Sequence, residues 1–141
     1  MSVPEFLGFD HIDCRVRSLA AVESFYDEVL PVLGLTEKRY AYVDANGEWH
    51  REFDTYNVVE YYEPEHPTKP RRFIGFVEDP LHRKNDTRIA FRVPFARLHE
   101  LAALVERAGG EQLEWSDDME RYPALFCEDP AGTKLELIGR A

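Results

Sequence analysis

The same order of elements occurs twice along the chain, and that repeat limits the possible folds more than any other feature. Phe9-Asp10-His11-Ile12-Asp13-Cys14-Arg15-Val16 alternates apolar Ile12, Cys14 and Val16 with polar His11, Asp13 and Arg15. A period of two predicts a strand with one apolar and one polar face. Leu19, Val22, Phe25, Tyr26, Val29, Leu30 and Leu33 then recur at helical spacing, with Ser18 as N-cap and Gly34 as the stop. Pro31 cannot donate to the Asp27 carbonyl, so the last turn should be distorted. Three strands are predicted next. The first covers 36–43 and ends on the hairpin signal Asp44-Ala45-Asn46-Gly47. The second starts near Trp49 and carries Phe53, Tyr56 and Val58; the third covers 72–77, after a turn-rich stretch over 64–70.

The second half repeats the plan. Residues 87–93 alternate Ile89, Phe91 and Val93 with polar neighbours, and Leu98, Leu101, Ala102, Val105 and Ala108 mark a helix ending at Gly109. Strands are expected over 111–115, 122–127 and 133–138, the last two joined by Asp129-Pro130-Ala131-Gly132. Ile12, Cys14 and Val16 thus correspond to Ile89, Phe91 and Val93, which would pack on the helices. The opposite face sets His11, Asp13 and Arg15 against Arg88, Ala90 and Arg92, too polar for core and suited to lining a cavity. Phe76-Val-Glu-Asp-Pro80 and Phe126-Cys-Glu-Asp-Pro130 look alike but fall on different strands of their halves, a chance match.

Composition narrows the function. At 141 residues one domain is the expectation. A net charge of −10, scattered rather than clustered, argues against nucleic acid, whose phosphates need a basic footprint. No apolar run reaches the roughly 18–20 residues that span a bilayer, and residues 1–6 do not read as a signal peptide. A cytoplasmic protein with no membrane partner is expected. Cys14 and Cys127, the only cysteines, both lie in apolar strand contexts and read as buried reduced thiols.

Three motifs in order carry a resemblance: His11-Ile12…Val16, Phe25-Tyr26…Leu30…Leu33-Gly34-Leu35, and Asp129-Pro130-Ala131-Gly132…Glu136-Leu137. Together they are similar to the vicinal oxygen chelate superfamily of glyoxalase I, fosfomycin and bleomycin resistance proteins and extradiol dioxygenases. The resemblance implies an α+β fold, two βαβββ modules over about 8–80 and 86–139, forming open cupped mixed sheets around a pocket. It also implies metal ligands on the first and last strands of each module. By position His11 matches the first ligand and Glu136 the last, so a divalent metal ion is the cofactor implied and otherwise none. Arg88 stands where metal-binding relatives often have His, and Ile74, Gly75 and Phe76 stand where a carboxylate or His is wanted. Two protein ligands are fewer than the three of a usual catalytic zinc site.

Each candidate has two readings. His11 is a metal ligand or acid/base group, or else a hydrogen-bonded histidine on the inner sheet face. Glu136 is catalytic or metal-binding, or else a partly buried carboxylate neutralised by Arg88. A guanidinium about 4 Å from an incoming cation opposes it by roughly 4 kcal/mol per unit charge at an effective dielectric of about 20. Arg88 could instead grip an anionic substrate. Asp13, Arg92, Tyr56, Trp49, Trp115 and Tyr122 are further substrate-binding candidates, although strand aromatics are mostly packing. Of the remaining histidines, His66, His82 and His99 read as surface, whereas His50 could reach the cavity. Three functions follow for a small-molecule ligand: metal-free binding or modified catalysis, a metal-dependent lyase, isomerase or dioxygenase using His11 and Glu136, and non-enzymatic sequestration. The resemblance also admits a homodimer with modules paired between chains.

Overall fold

The computed structural model describes residues 5–52 and 54–140. The first half runs β1 (His11–Val16), α1 (Leu19–Val32), β2 (Glu37–Val43), β3 (Trp49–His50), β4 (Val58–Tyr62) and β5 (Phe73–Glu78). The second runs β6 (Arg88–Pro94), a 3-10 turn (Phe95–Arg97), α2 (Leu98–Arg107), β7 (Glu111–Trp115), β8 (Ala124–Glu128) and β9 (Lys134–Arg140). Two open mixed sheets result, with strand orders β1-β5-β4-β2-β3 and β6-β9-β8-β7. In each, the first strand lies parallel to the last, β1 on β5 and β6 on β9, while the other pairs are antiparallel. The expected α+β architecture of two βαβββ modules is therefore present, with one two-residue strand added to the first. Phe76 and Phe126 lie on β5 and β8, so the two Phe-to-Pro segments do not correspond. Among the described residues no helix is long and apolar enough to cross a membrane.

The helical stripes are core. Leu19, Val22, Phe25, Tyr26, Val29 and Leu30 of α1 and Leu98, Leu101, Ala102 and Val105 of α2 are all buried, with Leu33 and Ala108 packed at the edge. Each large apolar side chain so buried contributes about 1.5–3 kcal/mol before entropy is charged against it. One cluster spans both modules, from Val16, Val59 and Phe76 to Val93, Leu125 and Leu137. A buried polar bond crosses the same core: the Tyr26 hydroxyl donates to Asp129 Oδ2 at 2.6 Å. Asp129 is fully buried, and its other oxygen accepts the N–H groups of Ala131 and Thr133. Burial and that carboxylate push the Tyr26 phenol well above its ordinary pKa.

Two local expectations are corrected. Ser18 is the N-cap of α1 by position, but its side chain makes no capping bond. Glu78, at the end of β5, accepts the Leu19 N–H at 2.8 Å instead, a carboxylate well placed at a helix N-terminus. The strand expected from Trp49 to Val58 does not run through. β3 pairs with β2 only at Tyr42 and Val43, as the Asp44–Gly47 turn dictates, and β4 takes over opposite Glu37–Ala41. Between them Asn57 stands in for a ladder: its side chain accepts from Val43 N at 2.8 Å and donates to Val43 O at 2.9 Å. Phe53, placed on that strand by its sequence, lies outside the described residues. Helix α1 ends as expected, with Gly34 at φ +100° and Leu35 N–H returning to the Leu30 carbonyl. Pro31 sits within its last turn.

Both cysteines are free thiols. Burial is the main cause that pushes Cys14 to about 12 and Cys127 to about 11. Neither is a nucleophile near neutral pH.

Candidate functional site

The first strand of each module is an edge strand, and the two edges lie side by side without a shared ladder. One cavity of about 610 Å³ is lined by Phe9–Ile12 of the first module and Ile89–Arg92 of the second. Another, of about 400 Å³, is lined by residues 12–17 and 87–89, so β1 and β6 run in opposite senses with Ile12 and Ile89 between the two cavities. The polar face shared by His11, Asp13, Arg15, Arg88, Ala90 and Arg92 is exposed at every position. His11, Ala90 and Arg92 meet at the larger cavity, where Phe73, Phe91, Leu33 and Leu35 supply apolar wall.

His11 is held firmly at the rim of that cavity. Its ring stacks on Phe73, with centroids 4.4 Å apart and planes 5° from parallel. Nδ1 bonds Asp10 Oδ2 at 2.7 Å, and Nε2 lies 3.7 Å from Asp13 Oδ2. The hydrogen bond to Asp10 raises the imidazole pKa above its usual 6.5 against the opposing effect of desolvation, with Asp13, Asp10 and Glu60 adding their fields. Arg92 has no ion-pair partner among the described residues; Arg72, also at this cavity, is paired to Glu63 at 2.6 Å.

Cross-strand register explains a residue the sequence did not announce. Asp13 pairs with Gly75, and Gly75 with Glu60, so the three form one row on one face. A Cβ on Gly75 would lie 2.9 Å from Asp13 Oδ1 and 3.5 Å from Glu60 Cγ, so the glycine is what lets both carboxylates lean over it. Glu60 is buried, paired to Arg51 and accepting the Tyr62 hydroxyl at 3.3 Å. Its only sequence signal is one carboxylate inside Val58-Val59-Glu60-Tyr61-Tyr62.

The second module arranges its candidates differently from expectation. Ala90, Glu136 and Phe126 share one row, and Arg88 lies one step along, opposite Lys134. Arg88 does not form an ion pair with Glu136. Its guanidinium lies over the Phe126 ring, 4.8 Å from the centroid, while buried Glu136 accepts the Tyr122 hydroxyl at 2.6 Å. That bond raises the Tyr122 pKa, with Arg140 and Arg88 opposing it; the Arg140 guanidinium lies 5.7 Å from the Tyr122 ring. The delocalised cation finds a ring face and the carboxylate finds a phenol, so both are satisfied without each other.

The other aromatic candidates lie elsewhere. Tyr56 packs on Tyr40 and donates to Glu23 of α1 at 2.8 Å. Trp115 packs against His99 and lines a small cavity with Leu98 and Met119. Trp49 is half-exposed in the β2–β3 hairpin. His50, in that hairpin, bonds Asp44 at 2.8 Å. Asp44, Glu48 and His50 are the one group of three metal-capable residues with ligand atoms within 4.8 Å of one another among the described residues. Neither His11 nor Glu136 belongs to it.

The metal implied by the resemblance does not fit the residues that would hold it. A guanidinium occupies the first-strand ligand position of the second module, Gly75 leaves the corresponding last-strand position of the first without a donor, and Glu136 is engaged by Tyr122. Among the described residues no group of three donors includes His11 or Glu136.

No family model matches the sequence, and no curated protein does. Solved structures match over nearly its whole length. A glyoxalase/bleomycin resistance protein from Albidiferax ferrireducens T118 superposes with a TM-score of 0.63 at 17% identity, covering 94% of this chain and 98% of that one. The fosfomycin resistance protein FosX from Mesorhizobium loti gives 0.61 at 16% identity, covering 97% and 94%. FosX from Listeria monocytogenes, complexed with Mn(II) and sulfate ion, gives 0.59 at 16%, covering 97% and 95%. At such identity the likeness is one of architecture, and with the paired modules described above it leads to one statement: the chain has the fold of the vicinal oxygen chelate superfamily.

Proposed function

We propose that this chain is a single domain with modules at about 8–80 and 86–139, binding a small organic molecule without a catalytic metal. The ligand lies in the larger cavity between β1 and β6, its polar group at His11 and Arg92 and its apolar body on Phe73 and Phe91. The observation that carries this reading is Arg88 on the ring of Phe126, beside a Glu136 already bonded to Tyr122. A cavity of about 610 Å³ is within the range of small-molecule sites. Raised basicity at His11 and an Arg92 guanidinium without an ion-pair partner among the described residues favour a negatively charged or strongly accepting group on the ligand. Tyr122 and Glu136 then satisfy each other, and Arg88 rests on Phe126, in place of holding a metal.

The test is a thermal-shift screen of aromatic and aliphatic acids. A ligand at a hundred times its Kd stabilises the fold by about 2.7 kcal/mol, a readily measured rise in Tm. The expected hits lose their shift in His11→Ala and Arg92→Ala; hits that keep it in both variants would refute the assignment of this cavity. A second reading, divalent-metal chemistry, is favoured by one observation, the 3.7 Å separation of His11 Nε2 and Asp13 Oδ2. Metal analysis of protein purified without chelator separates the two. Near-stoichiometric metal that disappears in His11→Ala would replace the first reading with the second.

A further inference from the structure

The second cavity, at the other end of the β1–β6 seam, has no part in the reading above. It measures about 400 Å³ and is bordered by Arg15 and Arg17 at the end of β1, and by His82, Lys84, Asn85 and Thr87 in the segment joining the modules. The β8–β9 turn closes it with Ala131, Gly132 and Thr133, and Ile12, Cys14, Val16 and Ile89 form the apolar side.

The charge of this groove runs against that of the molecule. The chain carries 27 acidic residues against 17 lysines and arginines, yet three of those cations and a histidine border this one cavity, with Asp13 the only carboxylate among its lining residues. Neither Arg15 nor Arg17 has an ion-pair partner among the described residues. Two guanidinia two residues apart, without ion-pair partners among the described residues, offer an anion a pair of donors on an otherwise acidic protein, with Asp13 the carboxylate that shares their lining. Lys84 is partly compensated, since its ammonium pairs with Glu128 at 2.6 Å. That pair also places it: the side chain crosses Gly132, where a Cβ would come within 2.9 Å of its Cδ. Glu78 bonds the Leu19 N–H and Asp86 pairs with Lys134, so neither forms an ion pair with the arginines. Asn85 accepts the Thr87 N–H through Oδ1, which leaves its amide NH₂ to donate.

We infer that this groove is a second ligand site, specific for a small organic anion whose carboxylate or phosphate is gripped by Arg15 and Arg17 and whose apolar body rests on Ile12 and Ile89. Guanidinium forks suit planar or tetrahedral oxyanions, and an apolar floor discriminates against the bare inorganic ion. The site shares only Ile12 and Ile89 with the His11 cavity and takes its charged groups from the opposite ends of both edge strands.

The experiment is a titration of ¹⁵N-labelled protein with phenyl phosphate, inorganic phosphate and phenol as separate probes, followed by amide shifts. Phenyl phosphate should move the amides of 15–17, 82–87 and 131–133, phosphate should bind more weakly, and phenol should leave them still. Arg15→Ala with Arg17→Ala, both at exposed positions, should weaken phenyl phosphate at those amides at least about tenfold, equivalent to about 1.4 kcal/mol. His11→Ala should leave this binding intact even where it abolishes ligand binding at the other cavity. Shifts confined to 9–12 and 89–92, affinity unchanged in the double variant, or no shift at millimolar phenyl phosphate would each overturn the inference.

Discussion

His11 shows how one neighbour decides what a side chain can do. Its bond to Asp10, with the fields of Asp13 and Glu60, favours the imidazolium, the form that repels a metal and attracts an anion. Because the folded-state pKa is raised, the stabilisation from this contact is fully present below about pH 6.5 and is lost as pH rises through the raised value. Asp10→Ala should bring the His11 titration, followed by NMR, back toward 6.5; an unchanged midpoint would mean the bond does not persist in solution. Residue identities of this kind were legible in part. Alternation around Ile12, Cys14 and Val16 places His11 and Asp13 on the exposed face, and the two edge strands do bring His11 and Arg92 to one cavity. Partner choice was not legible. Arg88 and Glu136 can be recognised as near neighbours, but whether a guanidinium takes a carboxylate or a ring depends on the placement of Tyr122 and Phe126. Glu60 was hidden for a related reason: its row is completed by Gly75 and Asp13, from strands distant in sequence.

At the scale of elements, periodicity carried the helices and most strands, because burial on one side imposes 3.6- and 2-residue repeats directly on the sequence. It failed between Trp49 and Val58. There the chain leaves the sheet, and a single side chain, Asn57, replaces the missing ladder by bonding both the N–H and the carbonyl of Val43. No apolar pattern encodes such a substitution, which belongs to local side-chain–backbone hydrogen bonding. Asn57→Ala should cost roughly 1–3 kcal/mol, since it strands two backbone groups in a part-buried position. Urea unfolding gives the magnitude. Faster amide exchange confined to Val43 and the β2–β3 hairpin would locate the effect, and uniform acceleration would contradict the role given to Asn57.

At the scale of the molecule, what joins the modules is the common core and the Tyr26–Asp129 bond. Tyr26→Phe removes the donor from a fully buried carboxylate oxygen and should cost about 1–3 kcal/mol in urea unfolding. Asp129 keeps its two backbone donors, so the turn should hold its shape and the loss should appear as weaker cohesion of the halves. The stretch between β5 and β6 is different in kind. Its Leu81, Arg83, Lys84, Asn85 and Asp86 are exposed, and it crosses the molecule without entering the cluster that both modules share. The two halves are thus bound to each other by their interior more than by the thread connecting them. Separately produced fragments cut within that thread should reassemble by complementation into one folded particle, each half serving as the other's missing core.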